Sequence, residues 1–119
     1  MANSNRIERV NSEIQKIIGK LISEELNDDV IQNNIISVVG VRTSSDLSHA
    51  KIYVSVLAPD EKQMEIFKHV KHAEGFLQRR LAETLNLRKT PQINLVYDES
   101  IEQGHKVLNI IESLKKGNK

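Results

Sequence analysis

The densest set of side chains able to do chemistry surrounds His72-Ala73-Glu74-Gly75. Lys68, His72 and Arg79 flank this stretch at spacings of four and seven, and Lys71 and Arg80 widen the group. On two nearly collinear helices, residues so spaced form one stripe. A cationic stripe neutralises phosphates. A helix start at Gly75 adds free backbone N–H groups that attract anions, and glycine permits close approach of a ligand's backbone. An ordinary corner between two helices, with solvated basic residues, explains the same pattern. Chemistry alone does not choose between the two.

Other candidate sets carry less. His69 and His72 stand three apart on one helix, but no third or fourth ligand sits nearby at zinc-binding spacing. Asp98-Glu99 are adjacent acids at the start of a helical pattern and fit a cap and dipole role better than acid–base work. Ser44-Ser45-Asp46 is turn chemistry without a neighbouring base. No phosphate-binding or dinucleotide glycine motif occurs. A non-enzymatic protein is expected, with no cofactor, no metal and no small-molecule substrate.

Net charge is only +1, so its distribution matters more. Residues 1–60 hold 6 Lys/Arg against 8 Asp/Glu, whereas residues 62–90 hold 7 against 3. Clustered charge governs phosphate binding more than totals do. The aromatics number four, Tyr53, Phe67, Phe76 and Tyr97, which favours backbone and shape recognition of folded RNA over stacking on single-stranded bases.

The elements that must hold these residues read as follows. Ile7, Val10, Ile14, Ile17 and Leu21 recur at helical spacing, predicting a helix from Arg6 to Leu26 with Asn3 or Ser4 as its cap, ended by Asn27-Asp28-Asp29. Ile35–Thr43 is β-branched and reads as a strand, Ser44-Ser45-Asp46 as a turn, and Lys51–Val56 as an alternating strand. Pro59-Asp60 opens a helix with Met64, Phe67 and Val70 inward. A second helix runs from Gly75 to Asn86 on Leu77, Leu81 and Leu85. Gln92–Tyr97 alternates as a third strand behind Pro91, and a last helix is predicted over Ile101–Lys115. The order implies an α+β two-layer sandwich, one three-stranded sheet under helices. At 119 residues without a linker, a single domain over 1–119 is expected.

There is no cysteine, which suits a reducing compartment. The polar opening lacks the apolar stretch of a signal peptide, and apolar runs such as Ile35–Val41 are far too short to span a bilayer. A soluble, cytoplasmic protein with no membrane partner is expected.

Along almost its whole length the chain resembles bacterial ribosome-binding factor A. Arg6, Arg9 and Val10 resemble that family's opening helix. Asp46-Leu47-Ser48-His49-Ala50-Lys51-Ile52-Tyr53-Val54-Ser55 looks like its second-strand signature, and Ala73-Glu74-Gly75 like its Ala-x-Gly kink. Arg79 to Leu81, then Leu87-Arg88-Lys89-Thr90-Pro91, resemble its third helix and the approach to its last strand. Asp98-Glu99-Ser100-Ile101 followed by Gly104 resembles its closing pattern.

The resemblance implies a type II KH-like fold, α-β-β-α-kink-α-β plus a C-terminal helix, in which Ala73-Glu74-Gly75 replaces the Gly-x-x-Gly clamp of ordinary KH domains. It further implies a monomer that binds 16S rRNA and the free small (30S) ribosomal subunit, assists late 16S maturation near the 5′ end, and supports growth in the cold. The expected RNA-binding residues are Lys68, Lys71, His72, Ala73, Glu74, Gly75, Arg79, Arg80, Arg88 and Lys89, with Arg6, Arg9 and Lys16 of the first helix behind them. The rival expectation is a protein–protein docking module without direct RNA contact.

Overall fold

The computed structural model describes residues 4–85 and 87–98. The predicted last helix, and the Asp98–Ser100 cap apart from Asp98 itself, lie outside the described residues.

Helix α1, Ser4–Glu24, buries Val10, Ile14, Ile18, Leu21 and Ile22. The buried stripe is rotated from the expected one: Ile7 and Ile17 are half-buried, and Ile18 and Ile22 take the core positions. Ser4 lies within the helix rather than capping it. A four-residue helix, α2 (Asp29–Gln32), follows where the sequence reading has only a stop signal. Asp28 builds it. From an extended backbone, its Oδ1 accepts from the N–H groups of Val30 at 2.8 Å and Ile31 at 3.2 Å, a side-chain N-cap. Its other oxygen meets His69 Nδ1 at 3.0 Å. That contact, followed by the two backbone donors, holds the Asp28 carboxyl below its usual range.

Strands β1 (Ile35–Thr43) and β2 (His49–Leu57) form an antiparallel hairpin, with Val39 bulged between Val38 and Gly40. The connecting loop is longer than two residues, as expected, and is organised by polar side chains. Asp46 Oδ1 accepts from the Ser48 hydroxyl at 2.7 Å, the Ser44 hydroxyl at 2.8 Å and the Ser48 N–H at 3.1 Å. These donors, the Ser48 hydroxyl foremost, depress the Asp46 pKa strongly. The next residue, Leu47, sits at φ 60°.

The chain then crosses over through α3 (Asp60–His72) and α4 (Glu74–Thr84) to β3 (Gln92–Tyr97), which pairs parallel with β2. A parallel return needs such a long crossover. The sheet order is β1-β2-β3. Along β2, buried Ala50, Ile52, Val54 and Val56 alternate with outward His49, Lys51, Tyr53, Ser55 and Leu57, so the helices cover one sheet face. Ile14, Ile18, Ile52, Val54, Val70, Leu77, Leu81 and Ile93 are completely enclosed between the layers. Phe67 meets the Tyr97 ring edge-on, centroids 5.6 Å apart. Met64, expected inside, is exposed, and Ile66 points inward with Phe67 and Val70.

Leu81→Ala removes a side chain with no solvent exposure. We expect a loss of about 2–5 kcal/mol in chemical unfolding; an unchanged midpoint would contradict the packing described.

Candidate nucleic-acid interface

β3 is an edge strand. Its N–H groups at Gln92 and Asp98 point to β2, donating to Ser48 and Val54 carbonyls, and the alternate ones point away from the sheet. Unpaired edge groups are costly when half-buried and invite aggregation when exposed. Three side chains of the helix pair meet four of these outward groups between Pro91 and Leu95. The Leu95 N–H donates to Glu74 Oε2 at 2.8 Å, and the Ile93 N–H donates to Gln78 Oε1 at 2.8 Å. Lys71 Nζ donates to the Leu95 carbonyl at 3.1 Å, and Gln78 Nε2 donates to the Pro91 carbonyl at 2.9 Å. Lys71 Nζ also meets Glu74 Oε2 at 2.6 Å and Asn94 Oδ1 at 2.8 Å. Lys71, Glu74 and Gln78 lie three and four apart, so one polar line crosses the helix break and holds the strand from Pro91 to Leu95.

The break itself is a single residue, Ala73, at φ −86° and ψ 3°. This corrects the expectation that Gly75 starts the second helix. α4 begins at Glu74, and Gly75 lies in its first turn without a positive φ. A Cβ built on Gly75 would meet nothing within 4 Å. Neither backbone conformation nor internal packing requires glycine there, so its effect is to leave the outer surface low. Ala73 is half-buried against the core.

Lys68, His72, Gly75 and Arg79 follow one another at spacings of four, three and four, and all are exposed. Neither Lys68, His72 nor Arg79 has an acidic partner among the described residues. Lys71, Glu74 and Arg80 differ. The first two hold β3, and Arg80 is clamped by Glu25 at 3.0 Å and Glu83 at 2.5 Å, joining α4 to the end of α1. Those carboxylates, Glu25 foremost, push its guanidinium pKa further up. The expected cationic cluster thus separates into an outward set and an internally paired set.

The remaining predicted residues fall elsewhere. Arg6, Arg88 and Lys89 line a cleft of about 470 Å³ with Asp46, Leu47, Ser48 and Leu87, where the start of α1, the β1–β2 loop and the α4–β3 loop converge. Arg9 and Lys16 are exposed on α1 and do not line it. His69 is spent on Asp28, and no group of three metal-capable side chains occurs among the described residues. Sequence reasoning missed Gln78, although its place in the 71-74-78 line was a usable signal.

The family model of ribosome-binding factor A matches residues 6–111. The chain belongs to the ribosome-binding factor A family. Its relative from Lachnospira eligens is 38% identical over 112 residues, spanning 94% of this chain and 85% of that protein. The solution NMR structure of a ribosome-binding factor A from Thermotoga maritima superposes with a TM-score of 0.62 at 29% identity, over 86% of this chain and 95% of that one. A Thermus thermophilus family member, as a homology model fitted into the cryo-EM map of its complex with the 30S subunit, superposes with a TM-score of 0.59 at 21% identity, over 75% and 91%. The fold is the KH-like one of this family, and Ala73-Glu74-Gly75 falls at the α3–α4 junction. Among the described residues no helix is long and apolar enough to cross a membrane.

The division of labour at the junction is testable. Gln78→Ala leaves the Ile93 N–H and Pro91 carbonyl unpaired; we expect a loss of roughly 1–3 kcal/mol and faster hydrogen exchange centred on Ile93. Lys68→Ala should stay within about 0.5 kcal/mol of the parent.

Proposed function

We propose that this chain binds the free small (30S) ribosomal subunit and assists its assembly, using the outer face of the α3–α4 junction to grip 16S rRNA phosphates. Late maturation near the 5′ end of 16S rRNA, and growth in the cold, are the processes it serves, in the cytoplasm where subunits are built. It acts as a monomer, as one KH-like domain over residues 1–119, by binding and not by catalysis. It needs no cofactor.

The observation that carries this reading is the selective freedom of Lys68, His72 and Arg79. Their neighbours Lys71 and Arg80 are occupied within the protein, while these three project around a low point at Gly75 and form no ion pair among the described residues. Phosphates of a folded RNA supply that compensation, and such contacts fix register and orientation. Arg88 and Lys89, with Arg6, form a second basic group at the separate cleft. The Thermus complex with the 30S subunit supports the choice of partner. A docking module without RNA contact could not pair along β3 between Pro91 and Leu95 without displacing Lys71, Glu74 and Gln78.

The test is sedimentation of purified subunits with the Lys68→Glu/Arg79→Glu variant. We expect an unchanged melting temperature and loss of the variant from the 30S fractions. A stable variant that still travels with the subunit would refute the assignment of this face.

A further inference from the structure

The sheet has a second face, and its residues are not explained by stability. Gly40, Tyr53 and Val96 stand in one row across the three strands, and Arg42, Lys51 and Asn94 in the next. Arg42 and Lys51 are therefore direct cross-strand partners, a like-charge pairing that weakens a sheet. Both are exposed. The three strands contain no Asp or Glu, and neither cation has an ion pair among the described residues. His49 adds an exposed imidazole beyond Lys51 on the same side of β2.

Gly40 is the second anomaly. Its φ is not positive, and a Cβ placed on it would meet nothing within 4 Å. The Tyr53 ring, directly across the pairing, thus does not fold over the glycine, as aromatic side chains do when they repair a glycine gap. An open notch is left beside the ring of a central strand, one row from two uncompensated cations.

We propose that this open sheet face binds a short single-stranded RNA segment, one base stacked on Tyr53 in the Gly40 notch and the adjoining phosphates on Arg42 and Lys51. The polymer is taken from the function proposed above; the surface is a separate one from the α3–α4 junction. Every base presents a flat π-face, so the contact is tolerant of sequence, and the two cations match the charge of the backbone on either side.

The chain has two tyrosines and no tryptophan, which makes the contact readable. In a Tyr97→Phe background, Tyr53 is the sole tyrosine, and its fluorescence is titrated with a ten-residue oligoadenylate at low salt. In the unaltered chain, upfield shifts of the Tyr53 ring protons report the same event. We expect saturable quenching, weakened roughly 5- to 150-fold by Tyr53→Ala as followed by anisotropy of labelled oligoadenylate. Arg42→Gln/Lys51→Gln should weaken it too. Gly40→Val should retain the melting temperature yet abolish quenching. The Lys68→Glu/Arg79→Glu variant should quench normally, so failure of the junction assignment and failure of this one are distinguishable. Absence of quenching, equal quenching by Gly40→Val, or equal quenching by oligoglutamate would overturn the proposal.

Discussion

The outer edge of β3 sets the terms for the rest of the molecule. A parallel strand reached by a helical crossover must lie at this sheet's edge, and its outward N–H and C=O groups need partners. The chain supplies four of those partners from the crossover itself. Glu74 and Gln78 accept from Leu95 and Ile93, while Lys71 and Gln78 donate to Leu95 and Pro91. For one line of side chains to reach along the strand, the helix pair must run beside it. The break at Ala73 falls between Lys71 and Glu74. The junction thus holds the sheet edge as well as offering a surface.

That requirement also sorts the charges. A helix has a limited number of faces. The apolar face of α3 and α4 takes Ile66, Phe67, Val70, Leu77 and Leu81 into the core. The polar flank beside it is consumed by β3, and Arg80 by Glu25 and Glu83. Lys68, His72 and Arg79 are left on the remaining face with Gly75 among them. Burial of the apolar face orients them, and the sealed edge keeps the junction from swinging, so their spacing toward a ligand is preset.

Much of this was legible in the residues. The limits Ile35–Thr43 and Gln92–Tyr97 match the strands because β-branched and alternating residues between turn signals leave little ambiguity. The two-layer arrangement followed from element order, and the KH-like assignment from the resemblance. What failed did so for physical reasons. α2 is four residues long with one buried apolar residue, Ile31, too short for periodicity to register. The inward stripe of α1 shifted to Ile18 and Ile22 because adjacent isoleucines at 17–18 offer two rotations of equal hydrophobicity, decided only by packing. The bonds of Lys71 and Glu74 to β3 were not legible either, because a charged residue near a glycine looks solvent-directed, whereas their partner, Leu95, lies more than twenty residues away. Long-range polar pairing leaves no local trace in a sequence.

The central claim is that cations of similar position along the helix pair have different employers, some the fold and some the RNA. The salt dependence of affinity for isolated 30S subunits measures this most directly, because each phosphate neutralised adds to the slope of log K against log salt. Arg79→Ala and Lys68→Ala should each lower that slope by about one with the melting temperature intact. Lys71→Ala should lower the melting temperature and leave the slope alone. A Lys71→Ala variant that keeps its melting temperature and loses slope would contradict the account.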